Sequence, residues 1–369
     1  METLLHLFHY LWSFVVVLSV VVFVHEFGHY VVAKLCGVKI EAFSIGFGPE
    51  IAGFNDRSGT RWKLSWLPLG GYVKMFGDAS AASNADFDVL AGMTEAERRA
   101  SFHYKKLPQK AAVVMAGPLF NFLLTIGLFT YFIFTTGLPS TEPVVGEVMA
   151  GTPAASAGFQ PGDRIVRIEG HAVKAFNDII FLLSTNVGTP VKVEYMRAGE
   201  PRQATLTPAM HQEQDALGNA VRRPIIGIRT TDIRYEDVGL PRALKEAVSR
   251  TYLICASTLK VVGQIITGQR GTHDLKGPIG IAQLSGQATA KDAGTALWLI
   301  AVLSANLGLI NLLPVPVLDG GHLAYYTAEA LRGRPLAKRV QDFGYRIGFA
   351  LVIMLMVFTL FNDIRQLFS

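Results

Sequence analysis

Apolar residues are concentrated in four long runs of the chain, about Leu11–Val32, Ala111–Thr136, Ala296–Leu313 and Phe343–Phe361. Each run approaches the roughly 17 to 25 residues that a helix needs to cross the hydrocarbon of a bilayer. The segment between the second and third runs is long and polar enough to be a folded domain. We therefore predict an α-helical polytopic membrane protein with about four transmembrane helices and one inserted domain.

Two stretches after the first run alternate between apolar and polar residues. They are Ile40–Phe54 and Arg61–Met75, and the turn-rich sequence NDRSGT separates them. Alternation around a turn predicts a β-hairpin or small sheet, here associated with the membrane. The polar, alanine-rich Asp78–Arg99 is predicted to be a surface excursion, with a weak helical pattern at Thr94–Arg99.

The long polar segment has the pattern of a compact β-rich module. Strands are predicted up to Met149 and at Arg164–Glu169, helices at Ala154–Ala157 and Phe176–Asn186, and a hairpin that turns at Ala198–Glu200. This order of elements, together with the phrase AGFQPGDRIVRIEG, resembles a PDZ domain. We therefore expect the inserted domain to be PDZ-like, with α+β structure.

Helical periodicity begins at Pro241 and continues for about seven turns. Apolar residues follow one another at intervals of three and four along one face, namely Leu244, Val248, Tyr252, Cys255, Leu259, Val262 and Ile266. A helix with such a stripe and flanking basic residues either lies on a membrane surface or packs on the PDZ-like module. The pattern favours neither alternative.

The composition and charge distribution agree with a membrane protein. Of 369 residues, 50% are hydrophobic and 17% are charged, whereas an ordinary soluble domain has about 25% charged residues. Lys and Arg cluster after the first span and between the third and fourth, which predicts cytoplasmic loops there. The net charge of +5 reflects this asymmetry, and no basic patch indicates nucleic acid. Cys36 and Cys255 fall on opposite sides of the membrane and are not expected to form a disulfide.

The first span contains the sequence HEFGH, His25 to His29, which matches the HExxH pattern. On a helix, residues four apart lie one turn above each other, so His25 and His29 can bind one metal ion while Glu26 reaches a water on it. A catalytic zinc needs three protein ligands and an open position for water. The alternative is a pair of histidines satisfied by neighbouring helices, but polar groups at bilayer depth are costly and usually functional.

A candidate for the third ligand follows the third span, in NLLPVPVLDGGH. Pro314 and Pro316 should break the helix of that span, because proline lacks an amide proton and collides with the preceding turn. Irregular backbone at membrane depth is tolerated where it is buried in protein or lines a water-filled cavity. Asp319 is therefore a candidate metal ligand, although turn capping is the usual role of an Asp-Gly pair.

These motifs together resemble the site-2 protease family of intramembrane zinc metalloproteases, in its bacterial regulator-of-sigma-E protease branch. The resemblance rests on HExxH, on NxxPxPxLDG and on GPxxN at Gly117, Pro118 and Asn121, and it extends along essentially the whole chain. It implies a Zn2+ cofactor held by His25, His29 and Asp319, with Glu26 as general base and acid. It also implies substrate-binding roles for Asn311 and Asn121.

The stretch GGYVKM resembles a membrane-reentrant β-element of the family, which implies substrate contacts at Gly71, Tyr72, Val73, Lys74 and Met75. There is also a physical reason to expect a sheet edge here. A transmembrane helix must be unwound before its carbonyl groups can be attacked, and pairing the opened strand with a sheet edge replaces the lost hydrogen bonds. For Tyr72, Lys74 and Met75 the alternative is an anchor at the membrane interface.

The chain differs from the relatives it resembles in the number of PDZ domains. Relatives in enteric bacteria carry two tandem PDZ domains, whereas the residues from Pro143 to about Thr231 suffice for one, with Pro224–Thr230 as its last strand or the remnant of a second. Such a domain either filters substrates by size or binds a peptide C-terminus through the loop at Val144–Val148. Both alternatives stay open.

The predicted organisation has six consecutive segments: the first span with HExxH at 1–36, a cytoplasmic-side loop with the β-element at 37–110, the second span at 111–137, the PDZ-like domain at 138–231, an amphipathic helical region at 232–294, and the last two spans at 295–369. The predicted function is an intramembrane zinc endopeptidase, and a metal or proton transporter and a non-catalytic PDZ scaffold are the alternatives. By resemblance, we expect it in the bacterial inner membrane, with both termini and the PDZ-like domain in the periplasm. Its expected partners are membrane lipid, single-pass transmembrane substrates such as anti-sigma factors or signal-peptide remnants, and an upstream site-1 protease.

Overall fold

The computed structural model describes residues 2–78, 87–140, 142–184, 186, 188–214, 220–230, 234–268, 276–334 and 336–367. They form two compact units. The first unit comprises Met1–Thr130, Leu244–Thr258 and Val262–Ser369, and the second comprises Tyr131–Ala243 and Leu259–Val261.

The chain begins with a long helix, a β-hairpin and three further helices. They are α1 (Glu2–Leu35), β1 (Ile40–Asn55), β2 (Arg61–Met75), α2 (Phe87–Gly92), α3 (Glu95–Ala100) and α4 (Leu107–Thr136). The hairpin and the helix at α3 were predicted, and Thr94 caps α3 by accepting a hydrogen bond from the amide of Glu97. A capping side chain of this kind satisfies a donor that has no partner within the helix.

The β1–β2 hairpin curls so that the start of β1 lies between two parts of β2. Ser44, for example, has Tyr72 as one Cα partner and Lys63 as the other, and Ile45 likewise has Gly71 and Leu64. The pairings of Gly71–Met75, by contrast, all lie with β1 among the described residues. Gly71–Lys74 is therefore an edge of this small sheet, with backbone groups available to pair with another strand. At Met75 the edge ends, because its amide donates to Asp78 and its carbonyl accepts from the amide of Asp78.

The second unit is built from short strands and two helices. They are β3 (Leu138–Ser140), β4 (Glu147–Val148), α5 (Pro153–Ser156), β5 (Arg164–Ile168), β6 (His171–Ala172), α6 (Phe176–Ser184), β7 (Val191–Arg197), β8 (Glu200–Leu206), β9 (Ala209–Gln214), β10 (Ala220–Ile225), β11 (Ile228–Arg229) and β12 (Arg234–Glu236). The main sheet has the order β6-β5-β7-β8. Ile165, Ile168, Ile179, Val191 and Val193 are almost completely buried at its centre.

The end of the predicted PDZ-like segment belongs to this same unit. Ile228 pairs with Val148 and Arg229 with Glu147, so β11 completes a two-stranded sheet with β4. Of the two interpretations of Pro224–Thr230, the pairing favours the last strand of one domain.

Five helices follow: α7 (Leu240–Ile266), α8 (Pro278–Lys291), α9 (Ala293–Asn311), α10 (Asp319–Arg332) and α11 (Lys338–Leu367). The predicted apolar stripe of α7 is exposed at Leu244, Val248 and Tyr252. Its buried face instead carries the small residues Ala243 and Ala247. An exposed apolar stripe is what a helix in a membrane interface presents.

Four of the helices in the described part of the chain are long and apolar enough to cross a membrane: His6–Leu35, Leu107–Thr136, Ala293–Asn311 and Arg339–Gln366. They confirm the prediction of four spans. As Pro314 and Pro316 predicted, the third helix ends before them, at Asn311. The helices α8 and α10 were not predicted.

The first unit packs α1 against the β-sheet and α4. Ala33 of α1, Ile40 and Phe43 of β1, and Val113 of α4 belong to one buried cluster. Polar contacts also join the spans, since Thr125 of α4 donates a hydrogen bond of 2.9 Å to the carbonyl of Ala301 on α9. Interhelical hydrogen bonds and close packing are the main forces that hold helices together in lipid.

Candidate metal centre and its cavity

Three predicted ligands meet in the first unit although they are far apart in the chain. His25 and His29 lie one turn apart on α1 and are buried, with 7% and 9% of their surface exposed. Nε2 of His25 lies 3.3 Å from Nε2 of His29. Oδ2 of Asp319, at the start of α10, lies 3.1 Å from the first nitrogen and 3.4 Å from the second.

This triangle of atoms has the size of one face of a zinc site. Nitrogen and oxygen ligands bind zinc at about 2.0 to 2.2 Å, so tetrahedral ligands lie about 3.3 to 3.6 Å from each other. The three observed separations are close to this range. The cluster His25, His29 and Asp319 is also the group of described residues whose ligand atoms lie within 4.8 Å of one another.

The hydrogen bonds around the triangle also indicate a cation. Nδ1 of His29 lies 2.8 Å from the carbonyl oxygen of Val113. Because a carbonyl can only accept, that ring nitrogen carries the proton, and Nε2 presents a lone pair to the triangle. Oδ2 of Asp319 is buried and has no hydrogen-bond donor. Lone pairs that converge without a proton between them fit a bound metal ion.

Asp319 is held in its ionised form, which is the form that binds a metal. Burial by itself would raise the pKa of this carboxyl group, but positive charge on His29 and His25, when these are protonated, outweighs burial and lowers the pKa below its ordinary value. A cation bound between the three side chains acts in the same direction. The side chain keeps 16% of its surface exposed.

The first turn of α10 packs closely against the backbone of the loop that precedes it. A Cβ atom on Gly320 would lie 2.3 Å from the carbonyl oxygen of Leu312, and one on Gly321 would lie 2.3 Å from that of Val315. Only glycine fits these two positions. Val317 has a φ of 92°, which a β-branched residue adopts only under strain. The loop that delivers Asp319 is therefore held by its surroundings.

The second span supplies the contacts behind both histidines. Gly117 of α4 lies against them, and a Cβ atom there would stand 2.3 Å from Nε2 of His29 and 2.8 Å from Cε1 of His25. Nδ2 of Asn121, one turn further along, lies 3.1 Å from Nδ1 of His25. Val113, Gly117 and Asn121 are spaced by four residues, so one face of α4 contacts the whole HExxH turn.

A cavity of about 520 Å³ opens beside the ligands. Most of the predicted site residues line it: His25, Glu26, His29, Asp319, Asn311, Gly71, Tyr72, Val73 and Met75. A Cβ atom on Gly71 would lie 3.1 Å from Cγ of Glu26. The exposed sheet edge therefore borders the same space as Glu26 and the triangle of ligands.

Two predicted substrate residues are placed elsewhere. Lys74 is not part of the cavity lining as described; its Nζ lies 2.8 Å from a carboxylate oxygen of Glu41 on the neighbouring strand, and this hydrogen bond raises the pKa of Lys74. Asn121 is completely buried and likewise lies outside the described lining. Their substrate contacts stay predictions.

The cavity also has lining residues that the sequence did not single out as functional. Phe47 stacks on Tyr72 with ring centroids 5.9 Å apart, and His322 and Tyr326 come from α10. Burial lowers the pKa of His322 and raises that of Tyr326, so both groups are neutral at pH 7. His322 stands in the NLLPVPVLDGGH stretch and could have been noticed there. Tyr326 becomes a candidate only when α10 is recognised as a helix, because it lies one turn beyond His322.

The chain is similar to several known proteins. The model of Peptidase family M50 matches residues 13–355. A protein of Agrobacterium fabrum, named as a putative zinc metalloprotease, is 44% identical over 362 residues, covering 97% of this chain and 96% of that protein. Metalloprotease MmpA of Caulobacter vibrioides is 38% identical over 377 residues, covering 96% and 95%. A PDZ domain of the SdrC-like protein of Listeria monocytogenes is similar at 30% identity over 24% of this chain and 84% of that one, with a TM-score of 0.20.

A helical membrane protein with a candidate metal site of two histidines and an aspartate beside a cavity fits the class of membrane metalloproteases. The chain belongs to Peptidase family M50, the site-2 protease family. It is a zinc metalloendopeptidase with several membrane-spanning helices, as its sequence predicted. This membership excludes the transporter and the scaffold as its primary activity.

Proposed function

We propose that this chain cuts transmembrane segments of single-pass proteins inside the membrane, at the cavity beside His25, His29 and Asp319. The observation that carries the proposal is the position of the triangle of ligand atoms. It faces the same cavity as Glu26 and the free sheet edge. A metal centre of this kind next to an edge strand suits a substrate that must be held extended while it is cut.

In this proposal His25, His29 and Asp319 hold the zinc ion, which when bound supplies Lewis-acid activation of water and of the scissile carbonyl. Glu26 is next to His25 in sequence and lines the cavity. Its carboxylate oxygen takes the proton from the attacking water and then gives it to the leaving amine. Asn311, the last residue of α9, lines the cavity and contacts the substrate there.

The substrate segment pairs with the edge Gly71–Lys74, and Met75 faces it as a side chain of the cavity wall. The pairing replaces the helical hydrogen bonds that the segment loses when it unwinds. Without it, each unpaired backbone group would cost several kcal/mol in lipid. Gly71 is close to Glu26, so a strand paired at this edge passes beside the general base. The apolar side chains of Phe47 and Val22 in the cavity wall suit the apolar residues of such a substrate.

The experiment that tests this mechanism is the substitution Glu26→Gln in the purified full chain. Removal of a general base typically costs about 10²- to 10⁴-fold in rate. We expect cleavage of a model transmembrane substrate to fall by that factor while the zinc content stays at one ion per chain. Unchanged cleavage, or cleavage that a zinc chelator does not abolish, would contradict the proposed mechanism.

The proposed location is the bacterial inner membrane, with both termini and the PDZ-like domain in the periplasm. The support is the concentration of Lys and Arg after the first span and between the third and fourth. Alkaline phosphatase folds only where its disulfides can form. A fusion of it after Ser369 should therefore be active, whereas a fusion in the loop at Arg334 should not. The opposite result would reverse the topology.

The proposed substrates are anti-sigma factors and signal-peptide remnants, with a site-1 protease acting upstream. Support comes only from the resemblance to regulator-of-sigma-E proteases. The test compares the membrane proteome of cells that carry the wild-type chain with that of cells that carry Glu26→Gln. Uncut single-pass segments should accumulate in the cells that carry the variant.

A further inference from the structure

Asn121 lies against His25 in a setting that the proposed reaction has not explained. Its side chain is completely buried, and its amide nitrogen lies 3.1 Å from Nδ1 of His25. Oδ1 of the same amide is buried without a hydrogen-bond partner. The oxygen and nitrogen of an amide have nearly the same size, so the hydrogen-bonding requirement of the His25 ring decides which of the two faces Nδ1.

The ring of His29 shows what a zinc ligand needs on its far side. Nδ1 of His29 donates to the carbonyl oxygen of Val113 at 2.8 Å, which keeps the proton on Nδ1 and the lone pair on Nε2. Histidine ligands in metal sites generally donate their other N–H group to an acceptor, and this fixes the ring and its tautomer. His25 must satisfy the same condition if its Nε2 faces the zinc ion.

The side-chain amide of Asn121 offers an acceptor within reach of Nδ1 of His25, since one of its two polar atoms lies 3.1 Å from that nitrogen. If Nδ2 donates to Nδ1, the ring proton is placed on Nε2, where the metal binds. A half-turn of the amide about its Cβ–Cγ bond exchanges Oδ1 and Nδ2, which have nearly the same size. Oδ1 then accepts from Nδ1–H, and Nε2 presents its lone pair to the triangle.

We propose that Asn121 is a positioning residue whose Oδ1 accepts the Nδ1–H of His25 and so holds His25 in its metal-binding tautomer. Together with Val113, it makes α4 the element that orients both histidines of α1. The inference rests on the proposed zinc site and gives Asn121 a role through His25 instead of through the substrate.

The backbone of Asn121 is held in place for this role. Its carbonyl oxygen accepts hydrogen bonds from Ser304 of α9 at 2.9 Å and from Thr125 at 3.0 Å. Thr125 also bonds to Ala301 of α9. The backbone of Asn121 is therefore bonded both within α4 and to α9. The position from which its side chain reaches His25 is fixed by two spans.

The test measures zinc affinity of the purified full chain by competition with a chelator. Asn121→Leu keeps a similar volume but has no acceptor, and we expect its zinc affinity to fall about 10- to 100-fold. Asn121→Asp keeps an acceptor at the same distance, because a carboxylate accepts but does not donate. We expect it to retain the wild-type zinc affinity within about threefold.

Thr130→Val is the matched control. It removes a partly buried hydroxyl from the same helix, where Thr130 donates a hydrogen bond of 2.7 Å to the carbonyl of Ile126, but it contacts neither the histidines nor Asn121 through that bond. It should leave zinc affinity within about threefold of wild type. If Asn121→Asp lost as much affinity as Asn121→Leu, the amide would be a donor and the proposal would be wrong.

The control also decides the outcome if Asn121→Asp fails to fold. Equal zinc affinities of Asn121→Leu and Thr130→Val would then overturn the proposal, and a selective loss in Asn121→Leu would support it. Failure of the zinc site itself is distinguishable, because wild-type protein that binds no zinc through His25 would contradict the proposed function before any Asn121 variant is compared.

Discussion

At the scale of single residues, the space beside the histidines is as important as the ligands themselves. Gly117 has room only for a hydrogen atom, because a Cβ atom would stand 2.3 Å from Nε2 of His29. This nitrogen is one of the three ligand atoms of the triangle, with Nε2 of His25 and Oδ2 of Asp319. A glycine in the middle of a helix costs roughly 0.5 to 1 kcal/mol relative to alanine, so its presence here indicates a packing requirement.

Gly117→Ala should therefore weaken the metal site although it favours the helix. Overpacking of this kind costs about 1 to 3 kcal/mol, and we expect at least about a tenfold loss of zinc affinity. Gly127→Ala on the same helix is the control, since nothing lies within 4 Å of a Cβ atom there. Competition with a chelator measures both variants, and equal affinities would show that the histidines can move aside.

A second residue-scale prediction concerns the PDZ-like domain. Asp163 is buried and accepts two hydrogen bonds of 2.7 Å from Arg197. Burial alone would raise the pKa of Asp163, but the bonds from Arg197 and from the amide of Gln160 outweigh it and lower the pKa. The ionised, paired form is therefore the one that the folded domain stabilises.

Asp163→Asn should reduce the free energy of unfolding of this domain by about 1.5 to 3 kcal/mol, the usual worth of hydrogen bonds to charged groups. Because the folded pKa is lowered, the wild-type contribution is complete above the ordinary pKa near 3.8 and is lost as the pH falls through the folded value. Hydrogen exchange of Val191–Arg197, corrected for intrinsic rates, measures both effects. Glu142→Gln, which breaks an exposed ion pair with Arg164, should change stability by less than about 1 kcal/mol.

At the scale of elements, the third ligand depends on how the last span packs. A Cβ atom on Gly348 of α11 would lie 1.8 Å from the carbonyl oxygen of Pro316, and one on Gly344 would lie 2.0 Å from the hydroxyl of Tyr325. The two glycines are one turn apart. The loop and the helix that carry Asp319 pack closely against α11 at these two glycines, although α11 itself contributes none of the three proposed ligands.

Gly348→Ala should push the Pro316 loop away from α11 and move Asp319 from the two histidines. We expect zinc affinity to fall about tenfold or more while the chain still inserts and folds. Gly263→Ala in α7, where a Cβ atom meets nothing within 4 Å, should have wild-type affinity. Wild-type affinity in Gly348→Ala would mean that the loop is not held by α11.

The spans and the metal motif could be predicted because their signals are local. HExxH needs only one helix turn, and Pro314 with Pro316 marks the end of α9 in the chain itself. The helix α10 was missed although Asp319 in its first turn, Arg332 in its last and Gly333 after it are ordinary helix signals. They were missed because the Asp-Gly pair was interpreted as a turn.

Contacts between distant elements could not be predicted. Nothing near Asn121 in the chain shows that it meets His25, and the pairing of its carbonyl with Ser304 depends on how α4 packs against α9. The helix α8 was missed for a similar reason. Its buried residues Gly280, Ser285, Gly286 and Ala288 are too small for an apolar pattern, and Asp363 of α11 caps it from a distant position by accepting from the amides of Gly277 and Gly280.

At the scale of the whole molecule, the metal ties together parts of the first unit that are far apart in sequence. A ligand that binds only the native state stabilises it by about 2.7 kcal/mol at a free concentration of 100 times Kd. All four tryptophans, Trp12, Trp62, Trp66 and Trp298, belong to the first unit. Their fluorescence therefore reports on this unit alone.

Removal of zinc with a chelator should lower the unfolding temperature seen by tryptophan fluorescence, and added zinc should restore it. Hydrogen exchange of Val191–Arg197 in the second unit should not change. His29→Ala lacks one ligand and should show no shift with zinc at the same concentrations. A shift that persists in His29→Ala would place the stabilising metal elsewhere.

The distance in sequence between the ligands has a consequence for biosynthesis. The first span leaves the ribosome with His25 and His29, but Asp319 is made only when most of the chain has already been inserted. Two histidines alone cannot form a three-ligand site. A chain synthesised only as far as the third span therefore lacks the proposed metal site, and hydrolysis of the membrane proteins around it should begin only after Asp319 has been added and has reached the two histidines.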